Sequence, residues 1–148
     1  MATKNFTVYK SSAGSGKTFT LVKEYLSLAL NDASNPPRAY KKILAITFTN
    51  KAATEMKERI LKSLAELSRD DVSSASNLTL INLLKSESLS EQQIKERSNR
   101  VLTAILHNYS DFAIGTIDSF VYKVVKTFAF DLKIPMNFDL ELDDEKLL

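Results

Sequence analysis

The chain has 148 residues, 44% hydrophobic and 26% charged, with a formal net charge of +2. That is the size of one domain and the composition of a soluble globular protein able to bury roughly 70% of the surface its unfolded chain exposes. The absence of cysteine excludes disulfides, thiolate metal sites and a Cys nucleophile, and it fits a reducing cytoplasm.

Asn5 to Lys10 is a short β-rich run ending at a turn of small residues. From Lys17 the apolar positions Leu21, Val22, Tyr25, Leu26, Ala29 and Leu30 follow helical spacing. Asn31 to Arg38, with Pro36-Pro37, reads as a loop because proline cannot continue the helix. Lys42 to Phe48 is a continuous apolar run, the pattern of a parallel strand buried on both faces. Asn50 is an N-cap candidate for a helix with Ala53, Met56, Ile60, Leu64 and Leu67 on one face.

Residues 68–89 are richer in Ser, Asp and Asn, with a short helix expected near Leu78 to Lys85. Ser90 and Gln93 form a capping-box pattern. They open a helix expected to bury Ile94, Val101, Leu102, Ile105 and Leu106. Asp111 to Gly115 reads as a third strand. Thr116 is placed to cap a helix with Ile117, Phe120, Val121, Val124, Val125 and Phe128 inward. After Pro135 the alternation of Phe138, Leu140 and Leu142 with acids reads as a half-exposed strand or an extended linker. Alternating strands and helices imply an α/β layered fold with a mainly parallel sheet and right-handed crossovers.

The strongest motif is Ser11-Ser12-Ala13-Gly14-Ser15-Gly16-Lys17-Thr18. It matches a phosphate-binding P-loop, with Ser11 where the first glycine usually stands. Gly14 and Gly16 allow successive N–H groups to turn inward, and no Cβ blocks an approaching phosphate. The helix from Lys17 aims its positive dipole end at the same place. Ser12, Ala13, Gly14, Ser15, Gly16, Lys17, Thr18 and Phe19 are therefore the expected ATP-binding segment. Lys17 is expected to act on the β- and γ-phosphates, and Thr18 to offer its hydroxyl to Mg²⁺, as the catalytic pair of this site.

Two further segments narrow the class. Ile46 to Ile60, beginning Ile-Thr-Phe-Thr-Asn-Lys-Ala-Ala, closely resembles motif Ia of UvrD/RecB-type superfamily 1 helicases. Gly115-Thr116-Ile117-Asp118-Ser119-Phe120 resembles their next motif, Ib, with Asp118 where the family usually has His. The P-loop form also suits the RecB- and AddA-like helicase-nuclease branch. The three motifs stand in the family's order across residues 6–128. The resemblance implies a RecA-like P-loop NTPase domain, subdomain 1A, arranged as a three-layer sandwich that binds ATP, Mg²⁺ and single-stranded DNA. It places Thr47, Phe48, Thr49, Asn50 and Lys51, with Thr116, Ser119 and Phe120, on the DNA. Hydroxyls and N–H groups at helix starts suit phosphates, and Phe48 offers a face for stacking or else a buried strand end. Lys57 and Arg59 read as a solvated helix face. The adenine-reading Gln that many relatives carry upstream of the P-loop has no counterpart, since no Gln precedes Gln92.

The resemblance also implies parts beyond these motifs: an apolar strand ending in Asp-Glu, and arginines from a second RecA-like domain. Asp143-Asp144-Glu145 is rejected for the first role, because the residues before it alternate with acids. The chain is thus expected to be a partial domain. Residues 1–66 and 111–132 would form the motor core, 67–110 a helical insertion, and 133–148 a linker. The parent is expected to be a cytoplasmic ATP-dependent helicase, with a nuclease subunit or domain as a further partner and no membrane association. Alone, the chain is expected to bind nucleotide weakly and to hydrolyse almost none.

Residues 131–148 carry a balance of −4 against +6 for the rest, an asymmetry that fits a solvated acidic end. A small-molecule P-loop kinase is a competing reading, but the five arginines are scattered and suggest no lid. A DNA-binding module with a relic P-loop is another. His107 near a helix end suits a surface or capping role, and Tyr9 either a strand core or a place beside adenine.

Overall fold

The computed structural model describes residues 6–10, 16–31, 36–69, 72, 74–86, 89–131 and 133. Helix α1 spans Lys17–Asn31, and a 3₁₀ segment follows at Pro36–Lys42. Strand β1 is Ala45–Thr47 and helix α2 is Asn50–Leu67. Helices α3 (Ala75–Ser86) and α4 (Glu91–His107) come next, then a 3₁₀ turn at Tyr109–Asp111. Strand β2 (Ile114–Thr116) leads directly into α5 (Ile117–Phe128). Among the described residues no helix is long and apolar enough to cross a membrane.

The core is mostly helical. Val22, Tyr25, Leu26, Ala29 and Leu30 of α1 bury against Ala53, Met56, Ile60, Leu64 and Leu67 of α2. Leu80 and Leu84 of α3, and Ile94, Val101 and Ile105 of α4, join the same cluster. These are the 3.6-residue stripes that the spacing predicted for α1, α2 and α4. Leu21 and Leu106 are exposed instead, and Ser98 takes a buried place on α4. The capping box at Ser90 forms with both of its hydrogen bonds. Where a loop was expected, the 3₁₀ segment wedges Tyr40 between α1 and α4. Its hydroxyl donates to the Ala104 carbonyl at 3.1 Å. Arg97 donates to the Leu30 carbonyl at 2.7 Å, satisfying one of the acceptors that the end of α1 leaves open.

β1 and β2 pair in parallel, with Ala45 opposite Ile114, Ile46 opposite Gly115 and Thr47 opposite Thr116. The sheet departs from expectation in four ways. Residues 6–10 form no strand, and Phe6, Val8 and Tyr9 are exposed. β1 is only three residues long, because Lys42 ends the 3₁₀ segment before it. β1 is not buried on both faces: Ile43 and Ala45 pack on the core while Leu44 and Ile46 are exposed. β2 begins three residues later than Asp111, which the 3₁₀ turn takes up.

The fourth helix stripe also fails. None of the α5 residues expected inward is buried, and Ile117, Phe120, Val121, Val124 and Phe128 are all exposed. The amphipathic pattern is present, but among the described residues α5 packs mainly against the two short strands. The alternating segment after Pro135 lies outside the described residues.

Candidate functional site

The P-loop is described from Gly16 onward; Ser12, Ala13, Gly14 and Ser15 lie outside the described residues. Gly16 has φ +83°, in the left-handed region where a Cβ is strained. Its carbonyl accepts from the Thr20 N–H at 3.0 Å and lies 3.3 Å from the Thr20 hydroxyl. This closes the first turn of α1 and leaves the N–H groups of Lys17, Thr18 and Phe19 without helical partners, as at any helix start. No acid stands in that turn. Lys17 is exposed, Thr18 and Phe19 are half-buried, and among the described residues no atom comes within 4 Å of where a Gly16 Cβ would sit. An exposed cation, a hydroxyl and helix-start N–H donors beside Gly16 fit an anionic phosphate chain with its Mg²⁺.

Tyr9, just ahead of the loop, is exposed rather than in a strand core. A hydrogen bond to Glu24 of α1 raises its phenol pKa above the usual value, followed by burial and then by the Glu24 charge.

The two strand ends carry the second group of residues. Thr49, not Asn50, caps α2: its Oγ1 accepts from the Ala52 N–H at 3.1 Å, and its backbone is extended. Asn50 is the first helical residue. The cause is register: the Ala53 N–H, three residues after Asn50, is already taken by the Thr49 carbonyl at 3.1 Å, while the Ala52 N–H is open to the Thr49 side chain. The Thr47 hydroxyl lies 3.0 Å from the Thr49 carbonyl and 3.3 Å from that of Gly115. It therefore ties the end of β1 to its own turn and to β2. Thr116 caps α5 as expected, its Oγ1 accepting from Ser119 N–H at 3.2 Å. Asp118 is exposed in the first turn of α5, where a carboxylate suits the helix dipole.

Expected DNA-facing residues thus divide into two kinds. Thr47, Thr49, Thr116 and Ser119 are engaged in holding the strand-to-helix turns. Phe48, Asn50, Lys51 and Phe120 are exposed, Phe48 at 88%. Phe48 is therefore not a buried strand end. Further down α2, Arg59 pairs with Glu55 at 2.6 Å, and Lys57 sits over the Tyr109 ring at 5.5 Å from its centroid. The spacing of 55 and 59 could have announced the first pair; nothing local announces the second. His107 is the exposed last residue of α4.

A left-handed glycine opens a helix at Lys17-Thr18, and a parallel strand pair feeds two capped helices: the chain is mixed α/β with a small parallel sheet, an arrangement that fits a P-loop NTPase. The family model for the UvrD/REP helicase N-terminal domain matches residues 2–147, and the chain belongs to that family. It is 33% identical over 141 residues to an ATP-dependent helicase/nuclease subunit of Thermoanaerobacter sp. (strain X514), covering 93% of this chain and 9% of that protein. It is 31% identical to a probable DNA helicase of Mycoplasma pneumoniae, covering 86% of this chain and 22% of the relative. The RecB component of the RecBCD enzyme of Haemophilus influenzae is 28% identical, over 94% of this chain and 12% of the relative. The chain therefore spans between 9% and 22% of the length of these relatives. No solved structure matches it.

Proposed function

We propose that the chain is the nucleotide-binding N-terminal part of an ATP-dependent DNA helicase or helicase-nuclease that couples ATP hydrolysis to movement on single-stranded DNA. The observation that carries this reading is Gly16, held at φ +83° at the head of α1 with Lys17 exposed beside it. Membership of the UvrD/REP helicase family supports it, as do the names of relatives, which include an ATP-dependent helicase/nuclease subunit.

In this reading Ser12 to Phe19 wrap the phosphates, Lys17 neutralises the terminal ones, and Thr18 holds Mg²⁺. Bound ATP with Mg²⁺ supplies a phosphoryl group whose hydrolysis drives movement. Phe48, Asn50, Lys51 and Phe120 meet the DNA strand, while Thr47, Thr49, Thr116 and Ser119 set the turns that present them. Residues 1–66 and 111–132 belong to the motor core, 67–110 insert in it, and 133–148 lead onward. The completed fold is a three-layer sandwich whose sheet extends beyond β1 and β2. Both described strands end in threonine, Thr47 and Thr116, so neither brings a carboxylate to the nucleotide. Turnover by the 148-residue chain alone is accordingly minimal.

The test is calorimetric titration with Mg·ATP of the chain and of Lys17→Ala, followed by an ATPase assay with and without single-stranded DNA. Uptake lost on substitution supports the reading. Equal uptake by both proteins would sink it, and brisk DNA-stimulated turnover would sink the statement about hydrolysis.

A further inference from the structure

A cleft of roughly 210 Å³ lies between α1, α2 and the start of α3. Phe19, Val22, Lys23 and Leu26 form its α1 wall, and Arg59, Lys62, Ser63 and Glu66 form its α2 wall. Each set follows i, i+3, i+4 and i+7 spacing, so each wall is one helix face. The α1 face is mostly apolar and runs into the core through Val22 and Leu26. The α2 face is polar throughout although it borders another helix, where packing alone asks for apolar residues. Ser76 and Asn77 of α3 close the third side.

Among the described residues the lining carries Lys23, Arg59 and Lys62 against one carboxylate, Glu66, a balance of +2. Glu66 is already engaged: it accepts from the Ser74 N–H and from the Asn77 amide, which fixes the corner between α2 and α3. Arg59 gives one nitrogen to Glu55 and keeps further N–H donors on its guanidinium. Lys23 stands 4.0 Å from Glu24, a loose pair. Among the described residues Lys62 has no ion pair, and the half-buried Ser63 hydroxyl has no hydrogen-bond partner. Cations with an unused hydroxyl around so small a space suit a compact polyatomic anion. The cleft holds several waters, yet it falls short of the about 300 Å³ at which pockets for drug-sized ligands begin.

We propose that this cleft is a second anion site, which takes a small phosphate-bearing ligand and is distinct from the phosphate site at the P-loop. Arg59 offers a planar fork, and Lys23 and Lys62 offer point charges, the donor set that suits phosphate oxygens. Ser63 and Ser76 add hydroxyls. Lys23 follows Lys17 by six residues, about 9 Å along the helix axis, so one phosphate group does not serve both. Lys17 takes no part in the site. Phe19 belongs both to the cleft wall and to the expected ATP-binding segment, so the ligand rests against the helix turn that Gly16 opens.

The probe is inorganic phosphate, titrated into the 148-residue chain at constant ionic strength set with sodium chloride. Backbone amide shifts are read at Lys23, Ser63 and Ser76. Saturable shifts at these positions are expected, in the parent and in Lys17→Ala alike. Lys23→Glu combined with Lys62→Glu should raise the dissociation constant at least about tenfold. Lys62→Arg, which keeps the charge, should bind like the parent. Lys62 is exposed and Lys23 is half-buried, so the double variant should keep the circular dichroism of the parent. If it unfolds instead, Lys62→Gln at the exposed position replaces it and should weaken binding severalfold. Shifts that stay linear with concentration would overturn the proposal, as would shifts that vanish in Lys17→Ala but persist in the charge-reversed variant. Release of phosphate from all these positions by Mg·ATP would overturn it too, since the cleft would then belong to the nucleotide itself. Calorimetry with Mg·ATP on the parent and on Lys17→Ala judges the P-loop separately.

Discussion

Ser119 bonds Thr116 twice: its N–H donates to Thr116 Oγ1 at 3.2 Å, and its own hydroxyl donates to the Thr116 carbonyl at 2.8 Å. The end of β2 and the start of α5 are one hydrogen-bonded unit. Thr116→Ala should cost about 1 kcal/mol of stability by removing the cap, and Thr116→Ser should cost little. Urea denaturation measures both. Gly115→Ala should also destabilise, because a Cβ there meets Ser119 Oγ at 2.7 Å and turns the hydroxyl away from its acceptor. In the Ser119→Ala background the same glycine substitution should cost markedly less. Additive costs would mean that the two sites are not coupled.

Tyr25 carries a buried hydroxyl that has no hydrogen-bond partner among the described residues. Its ring stands edge-on to Phe112 at 5.8 Å between centroids. Burial, and then the nearby Tyr40, push its phenol far above the ordinary value of 10.0. The unfolded chain therefore releases this proton first as pH rises. Stability from this group is complete below pH ~10 and is lost progressively above it. Tyr25→Phe should keep the edge contact, leave neutral-pH stability equal or about 1 kcal/mol higher, and flatten the alkaline limb of the stability curve. Denaturant midpoints measured from neutral to alkaline pH test this; an unchanged alkaline limb would count against it.

Glu66 near the end of α2 organises the entry to α3. Its carboxylate accepts from the Ser74 N–H at 2.7 Å and from the Asn77 side-chain amide at 2.9 Å. Asn77 is buried, so Glu66→Ala leaves its amide without this acceptor at a cost of about 1–3 kcal/mol. Glu66→Gln keeps an acceptor oxygen and should recover part of the loss. The loss should appear in hydrogen exchange of α3 before that of α4, since Ile94, Val101 and Ile105 anchor α4 in the core cluster without Glu66.

The helical core was legible because each stripe is a local pattern. Ala53 through Leu67 can be read at helical spacing without knowing what covers it, and the Ser90–Gln93 box needs only four residues. The same reasoning failed on α5. Its stripe is as clear as that of α2, yet burial depends on a neighbour that the pattern does not contain. It failed on β1 for the same reason, where Leu44 and Ile46 look like core and stand exposed. In the candidate site, residue types were readable and their engagement was not. Thr47 reads as a DNA-contacting hydroxyl; its bond to the Gly115 carbonyl could not be read locally, because the two residues are 68 apart. The displaced cap, from Asn50 to Thr49, is a one-residue register difference that propensity alone cannot settle.

Phe48 separates contact from architecture most cleanly. It follows β1 directly, precedes the α2 cap, and is 88% exposed. An aromatic ring in such a place contributes almost nothing to the core, so Phe48→Ala should leave thermal stability within about 0.5 kcal/mol of the parent, as for surface sites generally. If the ring stacks on a base of single-stranded DNA, the same substitution should weaken binding by about 1–3 kcal/mol. Thr49→Ala should show the opposite balance, losing about 1 kcal/mol of stability through the α2 cap and affecting DNA only through the position of the turn. Fluorescence anisotropy with a labelled oligothymidine, run beside urea melts of both variants, tests the pair. A Phe48→Ala protein that binds DNA as the parent does would remove stacking at this ring from the account. It would also shift the burden of DNA contact to Lys51, exposed in the first turn of α2, where the dependence of affinity on salt would then have to reveal it.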